Sequence, residues 1–362
     1  MLELLEVEKR SGGAVHLADI SLRLLPGTLN VLLGPTLSGK TSLMRIMAGL
    51  DRPSSGRILA DDMDVTGVPV QQRDVAMVYQ QFINYPAMTV FENIASPMRI
   101  ARKPKAEIEG TVERVADLLK LTPYLRRMPL QLSGGQQQRT ALARALAKNA
   151  RLVLLDEPLA NLDYKLREEL RAELPKIFAA SGAIFVYATA EPEEALLLGG
   201  NTATLSQGRV TQFGPTVDVY RRPNTLITAR IFADPPLNVM AVEKRGAAFA
   251  PVEGGGRQIP VPPAYEGLAD GPYHIAIRPH HVTLATTDGA ASLPATVIVT
   301  EITGSESFVH LKTLGENWVL LAHGIHDLPP GRPVEIHLPL RHIMVFDADG
   351  ASVDVGAVRK AA

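Results

Sequence analysis

Apolar residues follow three rhythms along this chain, and each rhythm predicts a different element. Met1-Leu2-Glu3-Leu4-Leu5-Glu6-Val7-Glu8 alternates apolar and acidic side chains, the period of a half-buried strand. Between Lys105 and Leu121, Ile108, Val112, Val115, Leu118 and Leu119 recur at helical spacing, and Pro104 and Pro123 bracket the segment. Ala141, Leu142, Ala145 and Leu146 form a second helical stripe, on a helix that Ser133 opens and that runs to about Asn149. Continuous apolar runs at Val31 to Leu33, Val153 to Leu155 and Ala183 to Ala188 predict buried parallel strands.

From Met1 to about Ala233 strands alternate with helical segments, the order of an α/β domain. Beyond Asp234-Pro235-Pro236, glycine and proline punctuate short β-prone runs such as His274-Ile275-Ala276-Ile277, Ala295-Thr296-Val297-Ile298-Val299 and Val334-Glu335-Ile336-His337-Leu338. This second region predicts a small all-β barrel or sandwich, with Gly254-Gly255-Gly256 and Pro260 to Pro263 as turns. The expected domains are 1–234, with a helical insertion at about 82–150, and 235–362.

A length of 362 residues fits two domains. Lysine and arginine total 37 against 38 aspartates and glutamates, so no overall basic field argues for nucleic acid. There are no cysteines, which excludes disulfides and thiol catalysis. No stretch approaches the roughly 18 to 20 consecutive apolar residues of a spanning helix, and the N-terminus lacks the basic start of an export signal. The expectation is a soluble cytoplasmic chain that reaches a membrane through partners.

Three motifs carry the chemistry. In Gly34-Pro35-Thr36-Leu37-Ser38-Gly39-Lys40-Thr41 the glycines let backbone N–H groups turn inward around phosphate oxygens. Lys40 supplies a compact positive charge, and Thr41 offers a hydroxyl to Mg2+. A glycine turn at an ordinary helix start is the plainer alternative. Leu152-Val153-Leu154-Leu155-Asp156-Glu157 ends a buried strand in two carboxylates beside that loop. Asp156 suits Mg2+ coordination and Glu157 can polarise an attacking water, although an exposed acidic turn is the alternative. Between them, Leu132-Ser133-Gly134-Gly135-Gln136-Gln137-Gln138-Arg139 opens a helix whose N–H groups and dipole suit a γ-phosphate; a capped helix with two flexible glycines is the plainer alternative.

In this order the motifs resemble those of the ATPase subunits of ABC transporters, with Walker A at Gly34 to Thr41, the signature at Leu132 to Gln136 and Walker B at Leu152 to Glu157. The resemblance implies an α/β P-loop NTPase with a helical insertion, followed by a small OB-like, TOBE-type regulatory domain. It implies that Gly34, Pro35, Thr36, Ser38, Gly39, Lys40, Thr41 and Ser42 bind ATP, and that Ser133, Gly134, Gly135 and Gln136 bind the ATP of a second subunit. Gln80 resembles the Q-loop glutamine that senses Mg2+ and the γ-phosphate, so Thr41, Gln80 and Asp156 form the implied Mg2+ set and Glu157 with Gln80 the catalytic pair. Asn161-Leu162-Asp163 resembles the D-loop, which adds Asp163 to the nucleotide site. The segment Phe82-Ile83-Asn84-Tyr85-Pro86-Ala87-Met88-Thr89-Val90-Phe91-Glu92-Asn93 is the implied contact with membrane partners; local packing of its aromatics is the alternative.

In the second domain, Ala276-Ile277-Arg278-Pro279-His280-His281 and Glu301-Ile302-Thr303-Gly304-Ser305-Glu306 resemble the regulatory domain of sugar-importer ATPases. His280 and His281 read as solvated loop histidines rather than a metal site. The phosphate loop, Gln80-Gln81-Phe82-Ile83-Asn84-Tyr85-Pro86 and Glu194-Ala195-Leu196-Leu197-Leu198-Gly199-Gly200 look most like one ATPase of bacterial glycerol-uptake systems, which pair two different ATPases. The implied partners are a second, non-identical ATP-binding subunit, two transmembrane permease subunits and an external solute-binding protein, at the cytoplasmic face of the inner membrane.

The chain departs from that pattern twice. Where the family places a switch histidine after the strand Ala183 to Ala188, the chain has Ala190, followed by Glu191. Losing a preorganised donor costs roughly 2.7 to 4 kcal/mol in the transition state. Where the family stacks an aromatic ring on adenine, the chain has Ser11, with His16 as a possible substitute; losing such stacking costs on the order of 1 to 3 kcal/mol. The expectation is a weakened site on this chain's own Lys40, with Ser133 to Gln136 completing a competent site on a partner. The alternatives are a homodimer importing a sugar or sn-glycerol-3-phosphate, and a nucleotide-binding subunit with little hydrolysis.

Overall fold

The computed structural model describes residues 1–81, 83–160, 162–253 and 257–353. Phe82, Asn161 and the expected turn at Gly254-Gly255-Gly256 lie outside the described residues. Two compact units divide the chain, Met1–Arg221 and Arg222–Ala362.

In the first unit β1 (Leu2–Ser11) is the strand that the alternation predicts; it forms a hairpin with β2 (Ala14–Leu24) and joins β4 (Ser55–Ala60) and β5 (Met63–Asp64) in an antiparallel sheet. The second sheet runs in the order β10-β9-β3-β8-β7-β6: Arg209–Pro215, Asn201–Ser206, Leu29–Leu33, Ile184–Thr189, Leu152–Asp156 and Val75–Val78. All but β10 are parallel, and every residue of β3, β7 and β8 is buried. That double burial is why these strands read as unbroken apolar runs.

Helix α1 (Lys40–Ala48) takes the last two residues of the phosphate loop, Lys40 and Thr41, into its first turn. Its Leu43, Met44, Ile46 and Met47 join Leu4, Ile20, Leu32 and Leu154 in one core cluster spanning both sheets. Each such side chain contributes about 1.5–3 kcal/mol on burial. The helical insertion holds α2 (Val90–Ile100), α3 (Lys105–Leu118) and α4 (Gly134–Lys148). Thr89 and Glu92 close a capping box on α2, and α3 buries Ile108, Val112 and Val115 as its spacing predicts. The unit finishes with α5 (Tyr164–Ser181), α6 (Pro192–Leu198) and α7 (Thr216–Arg221) around the large sheet.

The second unit opens with α8 (Leu226–Ile231), whose Leu226 and Ala229 pack on Ala276 and Phe346. The units therefore divide earlier than the expected boundary at 234/235: the apolar face of α8 is buried by the β-rich region. Strands β11 (Asn238–Arg245), β12 (Ala248–Pro251), β13 (Ile259–Pro260), β14 (Gly271–Ile277) and β19 (Met344–Asp347) make a five-stranded sheet. Strands β15 (Ala290–Ile302), β16 (Glu306–Thr313), β17 (Glu316–His323) and β18 (Pro333–Pro339) make a four-stranded one.

Trp318 is buried between them, its Nε1 donating to the Val239 carbonyl at 3.1 Å, and Asn238 bonds both polar groups of the Val319 backbone. The small all-β domain is as expected. Pro260, read from sequence as part of a turn, instead pairs with Ala248, because its neighbour Ile259 is buried in the core.

Candidate functional site

The phosphate loop leaves β3 at Leu33 and enters α1 at Lys40. Gly39 has φ of 107°, and a Cβ there would lie 2.9 Å from Leu17 Cδ2, so only glycine fits. A Cβ on Gly34 would lie 2.7 Å from Ser38 Oγ and run into the Leu205 carbonyl. Ser38 is buried, and its Oγ has no hydrogen-bond partner among the described residues, a donor that a phosphate oxygen can satisfy. Lys40 is also buried; its Nζ donates to the carbonyls of Gly34 at 2.7 Å and Pro35 at 3.1 Å. Burial pulls its pKa down, and the charges of Glu157 and Asp156 oppose that shift.

Strand β7 delivers Asp156 directly beneath this loop, where Thr41 Oγ1 donates to Asp156 Oδ2 at 2.8 Å. Burial pushes the Asp156 carboxyl up, against the opposing effects of Thr41 and Lys40. Glu157 follows the strand with φ of 46°, a left-handed backbone at a non-glycine residue. Gln80 Nε2 donates to Glu157 Oε2 at 2.8 Å.

The Thr41 hydroxyl, Asp156 carboxylate and Gln80 amide are hard oxygen donors of the kind Mg2+ prefers. Among the described residues no cluster of three or more His, Asp, Glu or Cys side chains could hold a metal, so an ion held by these donors would need further ligands from water or phosphate.

A cleft of about 430 Å³ opens above these groups, lined by Thr36, Gly39, Lys40, Thr41, Ser42, Gln80 and Glu157. Val15, His16, Leu37, Gln207 and Gly208 complete it. Ser11 sits at the exposed end of the β1–β2 hairpin, paired with Ala14, and is not part of the lining; His16 is. The Gln207-Gly208 turn escaped the sequence reading. Its dipeptide marks a hairpin turn, with φ of 47° and 75°, but nothing local reveals that β9 carries it to the phosphate loop.

Ser133 caps α4 in a reciprocal box with Gln136, at 3.4 Å and 3.0 Å. Ser133 and Gly134 are exposed, and Ser133, Gly134, Gly135 and Gln136 lie outside the cleft that holds Lys40. Gln138, further along the helix, is buried and donates to the Pro158 carbonyl at 2.8 Å, tying α4 to the exit of β7. Asp163 is exposed and caps α5, accepting from the Leu166 N–H at 3.0 Å.

Ala190 is exposed directly after β8. Glu191, beside it, pairs with Arg171 at 3.0 Å and with Arg167 at 3.4 Å, and Arg167 also donates to the Ala160 carbonyl.

The segment after Gln80 is bonded to α4. Asn84 Nδ2 donates to the Gln137 carbonyl at 2.9 Å, and Arg144 donates to the Ile83 carbonyl and lies 4.8 Å over the Tyr85 ring. A groove of about 320 Å³ runs here, lined by Met77, Tyr85, Pro97, Ile100, Ala141 and Arg144. Ile83 and Ile100 beside it are exposed. Among the described residues no helix is long and apolar enough to cross a membrane.

A glycine cradle, a buried lysine and two carboxylates at a parallel strand's end define a P-loop ATPase. The comparisons narrow the class. Residues 17–160 match the ABC transporter family model and residues 275–346 the TOBE domain model. The chain is 35% identical to the trehalose/maltose import ATP-binding protein MalK of Thermococcus litoralis, over 96% of this chain and 97% of that protein.

It is 36% identical to the sn-glycerol-3-phosphate import ATP-binding protein UgpC of Rhizobium meliloti, over 94% and 95%. It is 34% identical to the alpha-glucoside transport ATP-binding protein AglK of the same organism, over 97% and 98%. A solved dimeric ATP-binding cassette in a post-hydrolysis state, bound to ADP and Pi, is similar at TM-score 0.55 and 28% identity, covering 60% of this chain and 99% of that one. The chain belongs to the ABC transporter ATP-binding proteins: it binds ATP, and its ATPase activity is coupled to transport.

Proposed function

We propose that this chain is the ATP-binding subunit of an importer for a small polyol or sugar-class solute, peripheral on the cytoplasmic face of a membrane. Two permease subunits and an external solute-binding protein complete the assembly. The names of the relatives, which import trehalose, maltose and sn-glycerol-3-phosphate, support the solute class. Glycerol is the finer reading, carried by the likeness of the phosphate loop, Gln80 to Pro86 and Glu194 to Gly200. Uptake of labelled glycerol, glycerol 3-phosphate and maltose into cells lacking this gene tests it: loss of glycerol uptake alone supports glycerol, and loss of another reassigns the solute.

Gly34 to Ser42 bind the triphosphate, with Lys40 exchanging its loop carbonyls for phosphate oxygens. Thr41, Asp156 and Gln80 hold Mg2+, which supplies neutralisation of the phosphate charge when bound. Glu157 orients and polarises the attacking water, and Gln80 positions Glu157. The groove at Tyr85 and Ile100 receives the permease.

A single observation carries the dimeric mechanism: Ser133, Gly134, Gly135 and Gln136 are presented away from the cleft of Lys40. They and Asp163 serve a nucleotide on a second subunit. A non-identical partner, with the slow site on this chain, is the reading that Ala190 motivates. The dimeric form of the similar solved cassette favours a second copy as the other reading. ATPase assays of the purified chain alone separate them, since a self-sufficient pair turns over and an obligate half does not.

A further inference from the structure

Glu157 is fixed at its carboxylate and at both of its backbone groups. Gln80 Nε2 donates to its Oε2 at 2.8 Å, its N–H donates to the Ala188 carbonyl on β8 at 3.0 Å, and its carbonyl accepts from the Ala160 N–H at 3.3 Å. The backbone between these bonds is left-handed, with φ of 46°. A residue other than glycine keeps such a conformation only where its surroundings hold it.

A further hold comes from α4. Gln138 lies two residues beyond Gln136 and is 2% exposed; its Nε2 donates to the Pro158 carbonyl at 2.8 Å and to the Glu157 carbonyl at 3.4 Å. Two carbonyls can be met only by the NH2 end of the amide, so the Oε1 faces elsewhere. That oxygen is buried and has no partner among the described residues. A buried acceptor without a partner is destabilising, and methionine would fill the same space without leaving an oxygen unpaired. Packing alone therefore favours an apolar residue at this position. What the glutamine adds is a donor for the Glu157-Pro158 turn.

We propose that Gln138 is a positioning residue for Glu157: its amide holds the two carbonyls of the turn, and with them the direction in which the Glu157 carboxylate leaves β7. This rests on the reading of Glu157 as the group that polarises the attacking water. A carboxylate in that role has to stay within hydrogen-bond reach of the water, and a displacement of about 1 Å costs on the order of 10²-fold in rate. Gln80 and Gln138 divide the work, one holding the carboxylate and the other the backbone behind it. The helix that opens at Ser133 thereby also carries the support of Glu157.

Hydrogen–deuterium exchange of the full-length chain and steady-state kinetics of the assembled transporter test this together. Gln138→Met keeps the length of the side chain and removes the donor. Gln138→Asn keeps the amide and draws it back by one methylene, and serves if the first variant fails to fold. In either variant the amides of Glu157 and Ala160 should exchange about tenfold faster, the weight of one hydrogen bond, while those of Leu152 to Leu155 keep their wild-type protection. The turnover that depends on Glu157, read as the loss in Glu157→Gln, should fall by about 10²-fold with KM for ATP unchanged.

The proposal is overturned if a folded Gln138 variant keeps wild-type exchange at Glu157 and Ala160. It is also overturned if exchange rises along β7 and α4 alike and KM rises with it, the pattern of a residue that only packs. If Glu157→Gln costs no turnover, the reading of Glu157 itself fails, and exchange alone decides whether Gln138 holds the turn.

Discussion

Ala190 offers a methyl where a donor to the γ-phosphate is expected, and its exposure leaves room for a larger side chain. Ala190→His is expected to raise the turnover of the site on Lys40 by about 10²–10³-fold, the weight of one preorganised donor. Steady-state ATPase assays at saturating ATP check this, and an unchanged rate would mean another group already fills the role. His16 is the ring-bearing side chain of the cleft lining, so His16→Ala should weaken ATP binding by about 1–3 kcal/mol, read by fluorescent-nucleotide titration. A third residue-scale effect is linked to pH. His281 titrates near 6.5 when unfolded and at about 3 when folded, so between these values the unfolded chain binds the extra proton. Stability is therefore complete above about pH 6.5 and is lost as pH falls towards 3. Thermal melts from pH 7.5 to 4.5 should show the loss in the wild type and a shallower slope in His281→Asn.

The helix α4 connects the signature to the segment after Gln80 through Asn84, Gln137 and Arg144. Under the proposed docking of a permease at that segment, its movement would be passed to Ser133 along these bonds. Asn84→Leu removes the bond to the Gln137 carbonyl. In reconstituted transporter, solute-stimulated ATPase should fall several-fold while the unstimulated rate holds; equal loss of both would assign Asn84 to packing. Elements also mark how far sequence reads. The phosphate loop, β7 and α4 were legible because their glycines, carboxylates, apolar runs and cap are local to each segment. The Gln207-Gly208 wall of the cleft was not, because β9 and β10 reach it from far along the chain. Glu157 was named, but its left-handed backbone follows from the turn out of β7 and the bond from its N–H to the Ala188 carbonyl. The six residues of α8 are too few to show a helical period, and its apolar face is defined by the contact with Phe346, distant in sequence.

At the scale of the whole molecule the question is what faces Lys40 from the other side. One chain presents a phosphate cleft and, outside that cleft, an exposed capped helix start. Composite sites follow from any pairing that brings the two together, and symmetry makes two of them in a homodimer. Lys40→Ala disables the cleft of one chain, and Ser133→Arg blocks the helix start of another, so each variant alone should be inactive. If the chain pairs with itself, mixing them restores about a quarter of the wild-type rate, because random pairing makes half of the dimers mixed and each mixed dimer keeps one intact site. If its partner is a different ATPase, mixing restores nothing. In that case Ser133→Arg should cost more transport than Lys40→Ala, since the signature would serve the competent site and Lys40 the slow one. The order of those two losses, measured in cells that carry the complete transporter, decides between the two assemblies without purifying either.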